Sequence, residues 1–323
     1  MVSLQELQES AHVVSIPLRT RFRGVDHREA MILRGPSGDA EFAPFLEYDA
    51  AESARWLAAA IEASWGSWPA PVRDSIPVNA TVPAVSAAEV AGVLARYDGC
   101  TTAKVKVAER GQALEDDVAR VAEVRSILGP SGRIRVDANG GWSLDDAVWA
   151  LTALSGFELE YAEQPCATID ELASLRIALV NNGVDLRVAA DESIRKATDP
   201  LLVARRHAAD VAVVKVAPLG GVQAALDIAV EAALPTVVSS ALDTSIGIAA
   251  GVALAAALPS LEFACGLGTV ELLSTDVTSE PLVPRAGAID VRRPLADRFS
   301  FVPASPERES WWRERLAAAY AEL

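Results

Sequence analysis

Residues 133–142 read Arg-Ile-Arg-Val-Asp-Ala-Asn-Gly-Gly-Trp, a short alternating strand that delivers Asp137 and Asn139 into a glycine turn. Residues two apart on a strand share a face, so Arg135, Asp137 and Asn139 converge while Ile134 and Val136 bury the opposite side. Charged strand ends of the same kind recur along the chain. Lys104 and Lys106 sit in Thr-Thr-Ala-Lys-Val-Lys-Val, Glu163 ends Leu-Glu-Tyr-Ala-Glu, Asp191 follows Arg-Val-Ala-Ala, and Lys215 follows Val-Ala-Val-Val. Three carboxylates gathered at one rim repel one another unless a cation stands among them, and hard oxygen donors suit Mg²⁺. Asp137, Glu163 and Asp191 are therefore the candidate metal ligands. Only four of the 29 basic residues are lysine, and three of those four, Lys104, Lys106 and Lys215, lie on these strands. A lysine offers what arginine cannot, an amine that gives up its proton. Lys106 and Lys215 are the candidate catalytic amines: a like-charged neighbour at Lys104 favours Lys106 as the base, while Lys215, alone on the far side of the mouth, is placed to stabilise the enolate as a cation. An excess of positive charge around such a site, in an otherwise acidic protein, suits a small anionic carboxylic acid. The chemistry expected is removal of a proton α to its carboxylate.

The elements that position these residues follow from their spacing. From Lys106 to Asp137, Glu163, Asp191 and Lys215 the steps are 31, 26, 28 and 24 residues, each about one strand, one helix and two loops. That period predicts a TIM-like α/β barrel with the charges at one rim. At 323 residues and 51% hydrophobic the chain can hold such a barrel, which takes roughly 250 residues, plus one small extra domain. Strand one is expected at residues 78–82 and strand two carries the lysines. Strands seven and eight are expected at 235–239 and 261–264. Helices fall at 86–97, 113–128, 143–154, 169–181, 201–206, 221–233 and 245–258, and none follows strand eight.

Residues 1–75 do not follow the period. Strands at 13–16 and 30–34 and a helix at 49–62 predict a small N-terminal α+β domain capping the barrel, with an arginine-rich loop at 18–25 placed to close over its mouth. The barrel is expected over 76–300, and residues 301–323 as a C-terminal segment, with a helix at 311–323, packing back on the cap. A net charge of −15 excludes nucleic acid and anionic membrane surfaces as partners. The N-terminus has no basic stretch leading into an apolar one, and the apolar run at 246–258 is too short to span a bilayer, so a cytoplasmic location is expected. Cys100, Cys166 and Cys265 have no ligand spacing and read as small apolar residues. His12, His27 and His207 occupy no strand end, so the site runs on carboxylates and amines. Oligomeric state is left open.

Taken in order, Lys104-Val-Lys106, Asp137-Ala-Asn139, Glu163-Gln-Pro165, Asp191-Glu-Ser193, Lys215 with Gly220-Gly221, and Ser239-Ser240 resemble the enolase superfamily over nearly the full length, in the branch that holds muconate cycloisomerases and o-succinylbenzoate synthases. The resemblance implies a (β/α)7β barrel with an N-terminal capping domain, bound Mg²⁺, and substrate contacts from Lys104, Arg135, Asn139, Ser239, Gly266 and Gly268. Within the branch, the Arg-x-Asp-x-Asn pattern at Arg135, the Gly266-Leu-Gly-Thr269 turn and the short cap imply the synthase reaction. That reaction dehydrates 2-succinyl-6-hydroxy-2,4-cyclohexadiene-1-carboxylate in menaquinone biosynthesis. N-acylamino acid racemase, dipeptide epimerase and muconate cycloisomerase activities of the same branch are the alternatives.

Overall fold

Short strands whose side chains are buried on both faces form only where both faces are covered, which is the condition of a parallel sheet wrapped by helices. Seven such strands occur in the computed structural model, which describes residues 2–22, 24–196 and 198–323. In chain order the elements begin with α1 (Leu4–Glu9), β1 (Ala11–Phe22), β2 (Val25–Gly35), β3 (Gly38–Phe42), α2 (Ala50–Trp65) and β4 (Ser75–Pro77). The βα alternation then runs β5 (Ala80–Val82), α3 (Ala87–Leu94), β6 (Thr102–Lys106), α4 (Leu114–Leu128), β7 (Arg133–Asp137), α5 (Leu144–Leu154), β8 (Leu159–Glu163) and α6 (Ile169–Asn181). It continues with β9 (Val188–Ala190), the short α7 (Glu192–Arg195) and α8 (Leu202–Arg205), β10 (Val211–Val214), α9 (Val222–Ala232), β11 (Thr236–Val238) and α10 (Ser245–Ala257). The chain ends with β12 (Ala288–Asp290) and α11 (Pro306–Tyr320).

β5 to β11 form one parallel sheet in sequential order. Its two edges meet through Cys265 and Gly266, which bridge in parallel to Val78 on one side and Ser239 on the other. Cys265 donates its N–H to the Pro77 carbonyl (2.7 Å) and Gly266 to that of Val238 (2.8 Å), so the curled sheet closes into a (β/α)7β barrel. Strand eight is thus two bridging residues just beyond the expected 261–264, which are not a strand; the polar pair Ser260 and Glu262 interrupts the apolar run there. A 3₁₀ turn, Gly268–Leu272, follows directly.

The N-terminal region differs more from expectation. β1 and β2 form one long antiparallel hairpin paired from Ala11↔Leu33 to Phe22↔Val25, with a register irregularity after Pro17, a residue that lacks the N–H a regular ladder needs. Most of the expected 18–25 loop is therefore strand, and Arg23 lies outside the described residues. β3, which the sequence reading did not anticipate, pairs with β2. α11 packs on this sheet: Trp312, Leu316 and Ala319 are buried with Leu7, Met31, Leu33, Phe42 and Trp56. Among the described residues no helix is long and apolar enough to cross a membrane.

Two carboxylates fasten this unit to the barrel. Glu62 of α2 accepts the N–H groups of Val222 (2.6 Å) and Gln223 (3.0 Å) at the start of α9, where Gly221 at φ 139° leaves the space that a Cβ would take from that carboxylate. Glu41 of β3 accepts from the Thr244 N–H (2.9 Å) and hydroxyl (2.5 Å). It shares a cavity of about 30 Å³ with Asp243, Lys215 and Ser239. Burial, and the charge of Asp243 beside it, push the Glu41 carboxyl from 4.5 up to about 8. The folded state thus holds this proton more tightly than the unfolded chain does, and the resulting stability is present below pH 4.5 and lost as pH rises towards 8. Urea unfolding between pH 5 and 8.5 is expected to register a loss on the order of 2–4 kcal/mol that Glu41→Gln removes; parallel pH profiles for the two proteins would contradict it.

Candidate active site

All the candidate residues lie at or near the C-terminal ends of the barrel strands, the end that carries function in barrels of this kind. β6 and β7 pair in register, Lys104 with Arg135 and Lys106 with Asp137, and Asp137 stands opposite Glu163 of β8. Asp191 and Lys215 directly follow β9 and β10. Asn139 follows β7 in the left-handed region at φ 47°, and Gly140 continues it at φ 74°. This tight turn is open to asparagine and glycine at little cost and returns the asparagine amide to the barrel mouth.

The charges interlock. Lys106 Nζ donates to Asp137 Oδ2 (2.5 Å) and Asn139 Oδ1 (2.5 Å). Lys104 Nζ lies 2.9 Å from Glu163 Oε1 and 3.2 Å from Asp137 Oδ2. Lys215 donates to Asp191 Oδ2 at 2.5 Å. Asp191 Oδ1 accepts from Arg195 Nε (3.1 Å), whose Nη2 reaches Glu192 (2.7 Å).

Each carboxylate responds to its neighbours. Burial works against ionised Asp137, but Lys106 and Lys104 override it and hold the carboxyl far below its usual range. Asp191 is likewise lowered against burial, by Lys215 and Arg195. Glu163 goes the other way: burial and the charge of Asp137 push it up to about 7, with Lys104 opposing. For Lys104, burial is outweighed by Glu163 and Asp137 and the ammonium is strengthened, whereas burial dominates at Lys215 and lowers it. Lys215 therefore does not stand alone on the far side of the mouth. It is held on Asp191 with the Arg195 charge nearby.

Lys104, Lys106, Asp137, Asn139, Lys215, Ser239 and Gly266 border one cavity of about 30 Å³. Phe22, Lys106 and Asn139 also border a basin of about 610 Å³ that Arg21 and Arg110 line, a volume on the scale of a small-molecule site. Phe22, from the N-terminal hairpin, places its ring 5.4 Å from Lys106 Nζ. Glu163 and Asp191 lie behind the cavity, reached through Lys104 and Lys215.

Two expected substrate contacts fall elsewhere. Arg135 is fully buried one layer below Asp137. Its Nε donates to Glu160 (2.5 Å) and its Nη1 to the Ala264 carbonyl (2.6 Å) and Asn79 (3.2 Å), with the guanidinium over the Tyr161 ring. The two-residue alternation put it on the right face but could not give its depth. Gly268 sits in tight packing against Asn79, Tyr97 and Pro284 and does not border the cavity.

The sequence reading missed Phe22, Phe45, Thr81 and Thr269, all of which line the cavity, together with Tyr48, Glu192 and Arg195. Of these, Phe22 lay in the 18–25 segment expected over the mouth, Thr269 in the Gly266-Leu-Gly-Thr269 turn, and Glu192 and Arg195 one and four residues after Asp191 at a helix start, whereas Phe45, Thr81 and Tyr48 carried no signal. Among the described residues no three His, Cys, Asp or Glu side chains stand arranged to hold a metal ion. Even so, the donor set suits a hard divalent cation, because the charges of Asp137 and Asp191 raise the proton affinity of Glu163, that of Asp137 works the same way on Asp191, and Glu163 Oε2 is buried with no hydrogen-bond partner.

A capped (β/α)7β barrel with lysines and carboxylates interleaved at its mouth is matched by comparison with known proteins. The family described as Enolase C-terminal domain-like matches residues 86–295, and Enolase N-terminal domain-like matches 13–64, so the chain belongs to this enolase-like family. Similar solved structures include muconate lactonizing enzyme from Pseudomonas fluorescens complexed with muconolactone (TM-score 0.73, 23% identity, covering 94% of this chain and 97% of that one). Another is the L-Ala-D/L-Glu epimerase from Bacillus subtilis (TM-score 0.74, 21% identity, covering 88% and 96%). Closer in sequence are the o-succinylbenzoate synthase of Thermobifida fusca, 57% identical over 95% of each chain, and that of Mycolicibacterium smegmatis, 54% identical over 99% of this chain and 98% of that one.

The position of Arg135 has a consequence for stability. Arg135→Leu takes the buried donor from the Ala264 carbonyl and Asn79 and one of two arginines from Glu160, which keeps Arg133, and is expected to cost about 1–3 kcal/mol, read by chemical denaturation, while KM of the folded enzyme stays near wild type. A raised KM at unchanged stability would return Arg135 to the substrate.

Proposed function

We propose that the chain catalyses the Mg²⁺-dependent dehydration of 2-succinyl-6-hydroxy-2,4-cyclohexadiene-1-carboxylate to o-succinylbenzoate, a step of menaquinone biosynthesis, as a cytoplasmic enzyme. The observation that carries the reading is the pair of lysines, Lys106 and Lys215, that border one cavity from strands two and six of the barrel with three carboxylates on the strands between them. Two relatives named for this synthase, more than half identical over nearly the whole chain, support it.

Asp137, Glu163 and Asp191 would hold the metal, which when bound supplies positive charge to the substrate carboxylate as the α-carbon loses its proton. Lys106 takes that proton. The electron pair left behind forms the ring double bond as the C–O bond at the neighbouring carbon breaks, and hydroxide departs as water after receiving a proton. If proton and hydroxide leave from one face, Lys106 performs both transfers in sequence. Lys215, held as a cation on Asp191, stabilises the enediolate electrostatically. Lys104 stays charged between Glu163 and Asp137 and keeps those carboxylates oriented. Asn139, Ser239 and Gly266 border the same cavity and contact the substrate. Lysines set on opposite sides of a cavity also suit racemisation, in which one base removes a proton and the other returns one, so N-acylamino acid racemisation is the second reading.

With Mg²⁺ present, the diene absorbance of the hydroxy-acid is expected to disappear on adding enzyme, and EDTA to stop the reaction. No consumption, alongside racemisation of an N-acylated amino acid, would select the second reading. The lysine roles separate by substitution. Lys106→Arg keeps the charge but not the titratable amine, and kcat should fall by at least about 10³-fold with folding intact. Lys215→Arg keeps a cation and should retain more activity; the reverse ranking would make Lys215 the base.

A further inference from the structure

Arg195 is 2% exposed and lies at the end of α7, four residues after Asp191, where neutralising that one carboxylate would take a single contact. Instead its guanidinium divides three nitrogens among three partners. Nε donates to Asp191 Oδ1 (3.1 Å), Nη2 to Glu192 Oε1 (2.7 Å) and Nη1 to the hydroxyl of Tyr48 (2.6 Å), which comes from the N-terminal unit. Both carboxylates lead on to a lysine. Asp191 Oδ2 accepts from Lys215. Glu192 Oε1 also accepts from Asn139 Nδ2 (3.1 Å), and Asn139 Oδ1 accepts from Lys106 (2.5 Å). An unbroken path of hydrogen bonds and ion pairs thus joins Lys106 to Lys215, with Arg195 at its centre and Tyr48 as its branch to the cap.

We propose that Arg195 is a positioning residue that fixes the two lysines relative to each other and makes their alignment depend on the cap being seated. Three features support a positioning role over simple charge balance. The planar fork offers five donors at fixed angles, so its three contacts fix the angle between Asp191 and Glu192. Asn139 stands on a left-handed residue, and its amide has one partner on each side, Lys106 and Glu192, so its orientation follows Glu192. Glu192 Oε2 is buried without a partner, so both donors converge on Oε1, and releasing Arg195 would free the carboxylate to turn and carry Asn139 and Lys106 with it. Tyr48 makes the arrangement sensitive to the cap, since its hydroxyl reaches Arg195 only when the segment between β3 and α2 lies over the mouth.

The inference rests on Lys106 being the base and Lys215 the cation that acts with it, so wild-type turnover of the diene acid is measured first. Arg195→Lys, which keeps one positive charge but not the fork, is expected to lower kcat by about 10- to 100-fold with KM changed by less than about threefold. Tyr48→Phe, which removes one hydroxyl, is expected to lower kcat by about 3- to 10-fold and to have no further effect when combined with Arg195→Lys, because the two act through one link. Melting temperatures and circular dichroism separate loss of folding from loss of alignment, and Arg195→Gln repeats the cycle should the lysine variant fail to fold. Wild-type kcat in a folded Arg195→Lys enzyme, effects of the two substitutions that multiply, or a loss confined to KM would each overturn the proposal. If wild-type enzyme leaves the diene acid unchanged, the assigned activity falls, and the same cycle read on N-acylamino acid racemisation decides the role of Arg195.

Discussion

Burying charge at the mouth of a barrel is tolerable only when every charge has a partner, and here the partners are distributed so that none can move alone. Lys104, Lys106, Lys215 and Arg195 face Asp137, Glu163, Asp191 and Glu192, four cations against four carboxylates. Isolated ions in such surroundings would cost several kcal/mol each.

The barrel supplies the placement and the N-terminal unit supplies the enclosure. Parallel strands bring residues from distant parts of the chain to one rim, because each strand end is followed by a helix that returns the backbone to the opposite end. The cap adds side chains that no barrel strand provides: Phe22 above Lys106, Phe45 in the cavity wall, and Tyr48 on Arg195. Its attachment is partly polar. Glu62 binds the start of α9 and the buried Glu41 binds Thr244, so the seating of the cap depends on carboxylates and not on apolar area alone. One of these, Glu41, shares a cavity with Lys215, and the enclosure and the chemistry are physically continuous.

The barrel was legible in the sequence because its signals are local and periodic. Apolar strands ending in Lys106, Asp137, Glu163, Asp191 and Lys215 recur at βα spacing, and helices such as Ile169–Asn181 follow from caps and patterning. What was not legible depends on distance in space. β3 is five residues long with an acidic residue on each side of Ala40, and nothing local marks it as a strand; pairing with β2 makes it one. Residues 18–25 looked like a loop because arginines crowd them, yet alternation around Thr20 suits an exposed hairpin arm. Strand eight survives as two residues because the barrel needs only enough backbone pairing to join Val78 to Ser239.

Arg135 marks the limit of reasoning from strand parity. Alternation assigns a side chain to the inside of a barrel, but the inside has layers, and the layer decides between catalysis and packing. Asp137 is at the rim because β7 ends there. Arg135, two residues earlier, is about 7 Å deeper along the strand, below the reach of a molecule at the mouth. Its buried charge is met by Glu160, the residue skipped where the β7–β8 register shifts, three positions before Glu163. The barrel thus carries two stacked charge networks, one at the rim joining Lys104, Lys106, Lys215 and Arg195 to the strand-end carboxylates and one beneath it joining Arg135 to Glu160. Lys104 is level with Arg135 in the β6–β7 ladder yet reaches the carboxylates of Asp137 and Glu163, so the direction a side chain takes, and not strand position alone, assigns it to its network.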